Sequence, residues 1–215
     1  CGFISENVYL PNFTSKFNQY LEVVAVSDIN RAVAQRCASA FHIPKVYTFE
    51  EMLKDPEIEI IVNLTVPAAH EDINNAALKA AKNVYSEKPV ALTVESIIET
   101  NELAKKKGLL FGGAPDTFYG AAWQTARKMI DEGWIGKPFA GCTNYCTHGH
   151  ELWHPNPEFH YQANGGGPIN DSAVYNLVML VALLGPVKSV SCMAKKTFDK
   201  RPIYSMPKRG EIMDV

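Results

Sequence analysis

The chain has 215 residues, 47% hydrophobic and 20% charged, with a formal net charge of −2, an ordinary composition for a globular protein. That charge leaves no basic footprint for nucleic acid, and no apolar run approaches the roughly 20 residues that a membrane-spanning helix needs. The five cysteines (Cys1, Cys37, Cys142, Cys146 and Cys192) are odd in number and scattered, which suits reduced thiols in a cytoplasmic protein better than a disulfide framework.

In chain order, Gly2-Phe3-Ile4-Ser5 leads into a short helical pattern expected to end at Pro11. Leu21 to Ser27 is a near-continuous apolar, β-branched run, as for a parallel strand buried on both faces, and it ends at Asp28. Arg31 to Phe41 reads as a helix with Val33, Cys37 and Phe41 on one face. Thr48-Phe49-Glu50-Glu51 has the spacing of a capping box. Ile58 to Leu64 is the next buried strand, followed by Thr65-Val66-Pro67-Ala68-Ala69-His70 and a helix from about Ala69 to Ala81. Asn83-Val84-Tyr85 predicts a strand that exits into Ser86-Glu87-Lys88-Pro89-Val90. A helix over Thr93–Lys107 and a strand over Leu109–Phe111, closing at Gly112-Gly113, complete the alternation. Strand and helix in turn, without hairpin signals, predict an α/β fold with a doubly wound parallel sheet.

The pattern then changes. A helix over Gly120–Asp131, a long strand over Phe139–His148, a His-, Trp-, Pro- and Gly-rich loop, a helix over Asp171–Leu184 ending at Gly185-Pro186, and a strand over Val187–Lys196 predict an α+β domain with an open, mostly antiparallel sheet, incomplete here. The expected division is residues 1–116, a dinucleotide-binding domain lacking its first strand, and 117–215, the start of a substrate-binding and oligomerisation domain. Both ends read as cut from something longer.

Several constellations could carry chemistry. Gly2-x-x-Ser5 is compatible with the last two positions of the dinucleotide fingerprint. Asp28, at the tip of the following strand, stands where an acidic residue holds the ribose of NAD, although it would also serve a helix start. Lys88 leaves a parallel strand at the edge where open α/β sheets bind ligands, and Pro89 ends that strand.

Glu87-Lys88-Pro89, after Thr65-Val66-Pro67-Ala68-Ala69-His70 and Asp28, resembles the Gfo/Idh/MocA family of NAD(P)-dependent oxidoreductases. Gly165-Gly166-Gly167-Pro168-Ile169-Asn170-Asp171 resembles the same family's segment before its catalytic helix. The resemblance runs from residue 1 to about 200. It implies a Rossmann domain, a second domain with an open sheet, and hydride transfer between NAD (or NADP) and a ring carbon of a sugar, sugar acid or cyclitol. It also implies a cofactor site of Gly2, Phe3, Ile4, Asp28, Thr65, Pro67, His70, Glu87, Lys88 and Asp116. Lys88 would be the acid/base, since hydride leaves a carbinol carbon only as its hydroxyl proton is taken. Asp171 and Tyr175 would join it, with Tyr175 and Ala173 standing where the family carries histidine and glycine. Tyrosine, with a reference pKa near 10, is a poorer base than histidine.

His148-Gly149-His150-Glu151-Leu152-Trp153-His154-Pro155 is the most individual stretch. On a strand, Cys142, Cys146, His148 and His150 would span about 26 Å, too far for one ion, so no metal is expected, with His148 and His150 plus a residue from elsewhere the remaining metal alternative. The favoured reading is a wall for a polyhydroxylated substrate, with Trp153 stacking on a ring and His148, His150, His154 and Glu151 bonding hydroxyls. A homodimer or homotetramer is expected. Two other functions stay open: glycoside cleavage through a keto-sugar with recycled NAD, and a non-catalytic cofactor-binding sensor or partner subunit.

Overall fold

A computed structural model describes residues 1–161 and 167–215, so Gly165 and Gly166 of the triple-glycine segment lie outside the described residues. The chain divides into two compact units, Cys1–Gly113 and Ala114–Val215.

In the first unit, strands β1 (Ala25–Val26), β2 (Lys45–Val46), β3 (Ile60–Asn63), β4 (Asn83–Ser86) and β5 (Phe111–Gly113) alternate with helices α1 (Arg31–Phe41), α2 (Phe49–Lys54), α3 (Pro67–Lys79) and α4 (Val94–Lys107). Every strand pair in it is parallel: β1 with β2, and β3–β4–β5 in register Asn63↔Ser86 and Ser86↔Gly113. This is the expected Rossmann-type α/β arrangement. The helix starts follow the sequence chemistry. Asn30 Oδ1 accepts from the amides of Ala32 and Val33. Thr48 and Glu51 form both bonds of the capping box, and Thr93 caps α4, which ends at Gly108 in the left-handed region.

Two apolar clusters hold the unit together. Ile58, Ile61, Ala77, Leu78, Val84 and Ala104 pack α3 and α4 against β3 and β4, and Leu10, Val26, Cys37, Ala38 and Ile43 pack α1 against β1 and the first helical segment. Each fully buried large aliphatic side chain contributes about 1.5–3 kcal/mol. Of the predicted face, Cys37 lies in the second cluster and Phe41 packs against it, whereas Val33 is not among its members.

Two expectations in this unit need correction. Helical backbone does not stop at Pro11 but continues to Lys16 through two π-helical segments, Ser5–Tyr9 and Asn12–Lys16. Pro11 has helical angles (φ −56°, ψ −38°), and the wider π turn relieves the clash that proline makes in an α-helix. The run Leu21–Ser27 forms a ladder only at Ala25–Val26, and of its residues only Val26 is buried. β2, two residues long, gives it no longer partner.

In the second unit, α5 (Ala121–Asp131) and α6 (Val174–Leu184) pack together, and Arg127 closes the end of α6 by donating to the carbonyls of Ala182 and Leu183 at 3.3 and 3.1 Å. A π turn, Ile169–Ala173, leads into α6. Strands β6 (Lys200–Pro202) and β7 (Ile212–Asp214) form an antiparallel pair that the sequence reading missed. The strands expected over Phe139–His148 and Val187–Lys196 join no ladder among the described residues. Phe139, Val190 and Met193 are exposed, because an apolar extended run becomes a strand only when another strand takes its backbone groups. Among the described residues no helix is long and apolar enough to cross a membrane.

Candidate active site

In the first unit, the turn after β4 is fixed from behind by a polar network. Glu87 N donates to Asn63 O at 2.9 Å. Its carboxylate then takes two donors, Tyr9 Oη at 2.8 Å and the Lys88 amide at 3.0 Å. His70 is 1% exposed, and its ring spans two loops, with Nδ1 2.6 Å from Pro89 O and Nε2 3.0 Å from Thr65 O. Asn63 Nδ2 donates to His70 O and Asn74 Oδ1, and Asn74 Nδ2 to Val90 O. Thr65 Oγ1 donates to Asn63 Oδ1 at 2.7 Å. Lys88 is thereby held, partly buried, on a turn whose neighbours on both sides are anchored. A side chain at Gly113 would collide with Val90, so β5 closes on this turn only through a glycine.

The network changes the reading of two residues. His70 was expected to line the cofactor cleft, but its ring is buried with both nitrogens on backbone carbonyls, so it is a clamp on the Lys88 turn. Glu87 likewise spends both carboxylate oxygens on Tyr9 and the following amide. Burial, then the charge and hydrogen bond of Glu87, push the Tyr9 phenol well above its ordinary pKa, keeping it a donor. Thr65 and Pro67 flank the other side, Thr65 exposed and Pro67 opening α3.

Gly2, Phe3 and Ile4 are exposed at the start of the helical segment. A Cβ added to Gly2 would meet nothing within 4 Å, so protein packing does not demand the glycine and the space beside it is open. Asp28 lies next to this turn: its Oδ2 is 3.1 Å from the Cys1 amino group, and its Oδ1 accepts from Asn30 N at 2.9 Å. An open glycine turn at a helix start beside an acidic strand tip fits a dinucleotide. Asp116 is exposed and belongs to the second unit, where its carbonyl accepts from Tyr119 N.

In the second unit, His150 opens a 3-10 turn, His150–Leu152, and His160 ends another, Pro157–His160. Gly149 precedes the first with φ +131°, and a Cβ there would collide with the Glu151 carboxylate and the Tyr161 hydroxyl. Asp171, buried at the π turn, receives both histidines on one oxygen: His160 Nδ1 lies 2.9 Å and His150 Nε2 3.2 Å from its Oδ2. The two imidazoles stack, centroids 3.8 Å apart and 21° from parallel. Trp153 (4.9 Å) and Phe159 (6.0 Å) surround His150.

Glu151 is 0% exposed and anchors the loop. Tyr161 Oη donates to its Oε2 at 2.7 Å, Arg201 Nε approaches its Oε1 at 2.7 Å without hydrogen-bond alignment, and Tyr204 and Ser205 donate to its carbonyl. Burial, then the Glu151 hydrogen bond, push the Tyr161 phenol up to about 12. The β6–β7 hairpin thus clamps the histidine loop.

Of the residues expected to line a substrate wall, His150, Trp153, His154 and Asp171 come together. His148 is exposed and turns to Glu151, its Nδ1 3.4 Å from Oε1. His154 Nδ1 accepts from Asn156 N at 3.0 Å, and burial pulls its pKa below the ordinary value. Glu151 is a structural anchor rather than a hydroxyl binder. Tyr175 is partly buried in the first turn of α6. His160, Tyr9 and Asn63 were not found from the sequence, since no motif or spacing marks them.

His150, His160 and Asp171 are also the described residues whose ligand atoms converge as for a metal, all within 4.8 Å. The arrangement does not suit one: an ion bound head-on by both rings would hold their centroids about 4.5–5 Å apart, and metal-bound histidines donate their second nitrogen, whereas His150 Nδ1 has no hydrogen-bond partner among the described residues. Cys142 and Cys146 are exposed free thiols and take no part.

Residues 1–113 match the family described as "Oxidoreductase family, NAD-binding Rossmann fold", and residues 123–211 match "GFO/IDH/MocA C-terminal domain". The chain is 28% identical over 212 residues to protein YMR315W of Saccharomyces cerevisiae, covering 93% of this chain and 58% of that protein. It is 27% identical over 146 residues to D-xylose dehydrogenase of Paenarthrobacter nicotinovorans, covering 66% and 38% respectively. Among solved structures, a levoglucosan dehydrogenase in complex with NADH superposes with a TM-score of 0.83 at 21% identity, over 94% of this chain and 57% of that one. At that identity the superposition speaks for the fold. The chain spans a little over half the length of the relatives that it matches nearly end to end.

Proposed function

The chain belongs to the GFO/IDH/MocA oxidoreductase family, and from that premise we propose that it transfers hydride between NAD or NADP and a ring carbon of a sugar, sugar acid or cyclitol, with Lys88 as acid/base. The observation that carries this reading is the anchoring of the Lys88 turn by Tyr9, His70 and Asn63. A reaction that needs a positioned proton acceptor needs a rigid mount for it.

The nicotinamide supplies the acceptor for the hydride when bound. Lys88 takes the hydroxyl proton of the carbon being oxidised and returns it in the reverse direction, so hydride and proton leave the carbinol together and a carbonyl remains. The open turn at Gly2 with Phe3 and Ile4 admits the cofactor's phosphates, and Asp28 accepts hydrogen bonds from the ribose hydroxyls and disfavours a 2′-phosphate. Thr65, Pro67 and Asp116 would line the rest of the cofactor's path, with His70 and Glu87 supporting from behind. In the second unit, Asp171 with its histidines, Tyr175, His148 and His154 would bond substrate hydroxyls, and the half-exposed Trp153 offers a ring face for stacking. We assign residues 1–116 to cofactor binding and 117–215 to substrate binding and to assembly as a homodimer or homotetramer. We propose a cytoplasmic location, which unpaired cysteines suit.

The test is a titration with NADH and then NADPH, read by nicotinamide fluorescence, followed by turnover of polyols by the protein and by Lys88→Met. Saturable NADH binding and at least a 100-fold loss of turnover in the variant, with NADH affinity kept, are expected. Failure of the folded protein to bind either cofactor would remove the oxidoreductase reading. Binding with no turnover, unchanged by the substitution, would favour the cofactor-binding sensor.

A further inference from the structure

We infer that His150 is the imidazole working with Asp171 in the second unit, presenting a bare Nδ1 to a substrate hydroxyl, and that His160 is a positioning residue that fixes this arrangement. The inference deepens the proposed oxidoreductase reading and rests on it for the nature of the ligand.

Asp171, when ionised, can only accept. Its Oδ2 faces His150 Nε2 at 3.2 Å and His160 Nδ1 at 2.9 Å, and both nitrogens therefore carry hydrogen. Which nitrogen of an imidazole is bare is set by the bond that the other one makes. A neutral His150 with hydrogen on Nε2 has its lone pair on Nδ1. That atom is buried and has no hydrogen-bond partner among the described residues. Buried acceptors are normally paired, so an unpaired one beside an aromatic and imidazole wall calls for a small donor, and a hydroxyl is that donor.

His160 makes the choice of nitrogen firm. Its ring lies flat on that of His150 at 3.8 Å, holding the plane of that ring, and bonds the same oxygen; turning His150 over within this plane would put a C–H where Nε2 now meets the carboxylate. Neighbouring charges are answered elsewhere: Glu151 by Arg201 and Tyr161, and Glu158 by Lys208 at 2.6 Å. Asp171 Oδ2 also accepts from the Ser172 hydroxyl at 3.3 Å. Two loop histidines thus supply what a histidine at residue 175 would have supplied from α6.

The experiment joins a spectroscopic readout to kinetics. Two-bond proton–nitrogen correlation spectra of the protein, assigned with His150→Phe and His160→Phe, report the tautomer of each ring without any cofactor. His150 is expected to carry hydrogen on Nε2, and both His160→Phe and Asp171→Asn are expected to erode that preference. In turnover assays, His150→Phe is expected to raise KM for the polyol at least tenfold, with NADH affinity kept and a smaller change in kcat. Hydrogen on Nδ1 of His150 in the unsubstituted protein would overturn the inference. So would stoichiometric zinc binding that abolishes both ring correlations, or an unchanged KM in an active His150→Phe variant. Loss of NADH binding by the unsubstituted protein would instead sink the oxidoreductase reading, with the tautomer still deciding the geometry.

Discussion

His70 bridges Thr65 and Pro89: its two ring nitrogens lie 3.0 and 2.6 Å from their carbonyl oxygens. The loop after β3 and the turn after β4 are therefore tied through one buried side chain, and Lys88 sits on the tied turn. Replacing His70 by leucine keeps the volume roughly but takes the imidazole from two partly buried carbonyl contacts. A buried acceptor left unpaired costs about 1–3 kcal/mol, and with solvent able to reach the Thr65 side, His70→Leu should lower the free energy of unfolding by ~1–2 kcal/mol in urea titrations. A loss below ~0.5 kcal/mol would mean that the carbonyls find water and that the clamp is not needed.

Tyr9 supports the same turn from the first helical segment, 78 residues earlier in the chain. Tyr9→Phe removes only the hydroxyl that donates to Glu87 Oε1. Hydrogen bonds to a charged group contribute about 1.5–3 kcal/mol, and the pair is partly buried, so a loss of ~1–2 kcal/mol is expected from denaturation curves of the two proteins. Equal midpoints would show that Glu87 is held by the Lys88 amide alone.

How far the sequence carried the reading depended on the range of the forces involved. The capping box at Thr48 and the helix spans of α1 and α4 depend on neighbours within four residues, and they were legible; the cap of α1 was read at Asp28, whereas Asn30 makes it. The strands expected over Phe139–His148 and Val187–Lys196 were read from apolar content alone, but a ladder also needs a partner strand, which local sequence does not specify. The site divides the same way. Lys88, Asp171 and the His150 loop were visible as motifs. His160 was not, because a lone histidine in a loop gains its meaning only when folding brings it to Asp171. His70 was visible but assigned to the cofactor, since the two carbonyls that occupy its ring come from residues 65 and 89.

Gly149 tests whether the histidine loop is built around Glu151. Its φ of +131° is open to glycine alone, and a methyl group would press on the Glu151 carboxylate and the Tyr161 hydroxyl. Backbone strain and a disrupted buried carboxylate together should cost Gly149→Ala more than ~2 kcal/mol. The tautomer preference of His150 should be lost with it. A fully stable alanine variant with unchanged imidazole spectra would show that the loop tolerates another path.

His154 gives the second unit a dependence on pH. Burial lowers its pKa from the ordinary 6.5, and its Nδ1 already accepts from Asn156 N, a bond that protonation would break. The unfolded chain takes up a proton near 6.5, whereas the folded chain resists until lower pH. This contribution to stability is therefore complete above pH ~6.5 and is lost as pH falls through the folded value. The urea midpoint should drop between pH 7.5 and pH 5.5, and His154→Gln should flatten that drop. A slope identical in the two proteins would assign the acid sensitivity to other groups.

Asp28 should set the choice between NAD and NADP. Its carboxylate stands beside the open Gly2 turn, and one of its oxygens already accepts from Asn30 N, which orients the group at the strand tip. A carboxylate there accepts from ribose hydroxyls and repels a 2′-phosphate, and asparagine keeps the shape while removing the charge. Asp28→Asn is expected to weaken NADH binding and to strengthen NADPH binding, moving the affinity ratio by about tenfold or more, or roughly 1.4 kcal/mol. Side-by-side fluorescence titrations of the two proteins measure that ratio directly. A ratio unmoved by the substitution would shift the discrimination to another group near the strand tip, with Arg31, the first residue of α1, the first to replace.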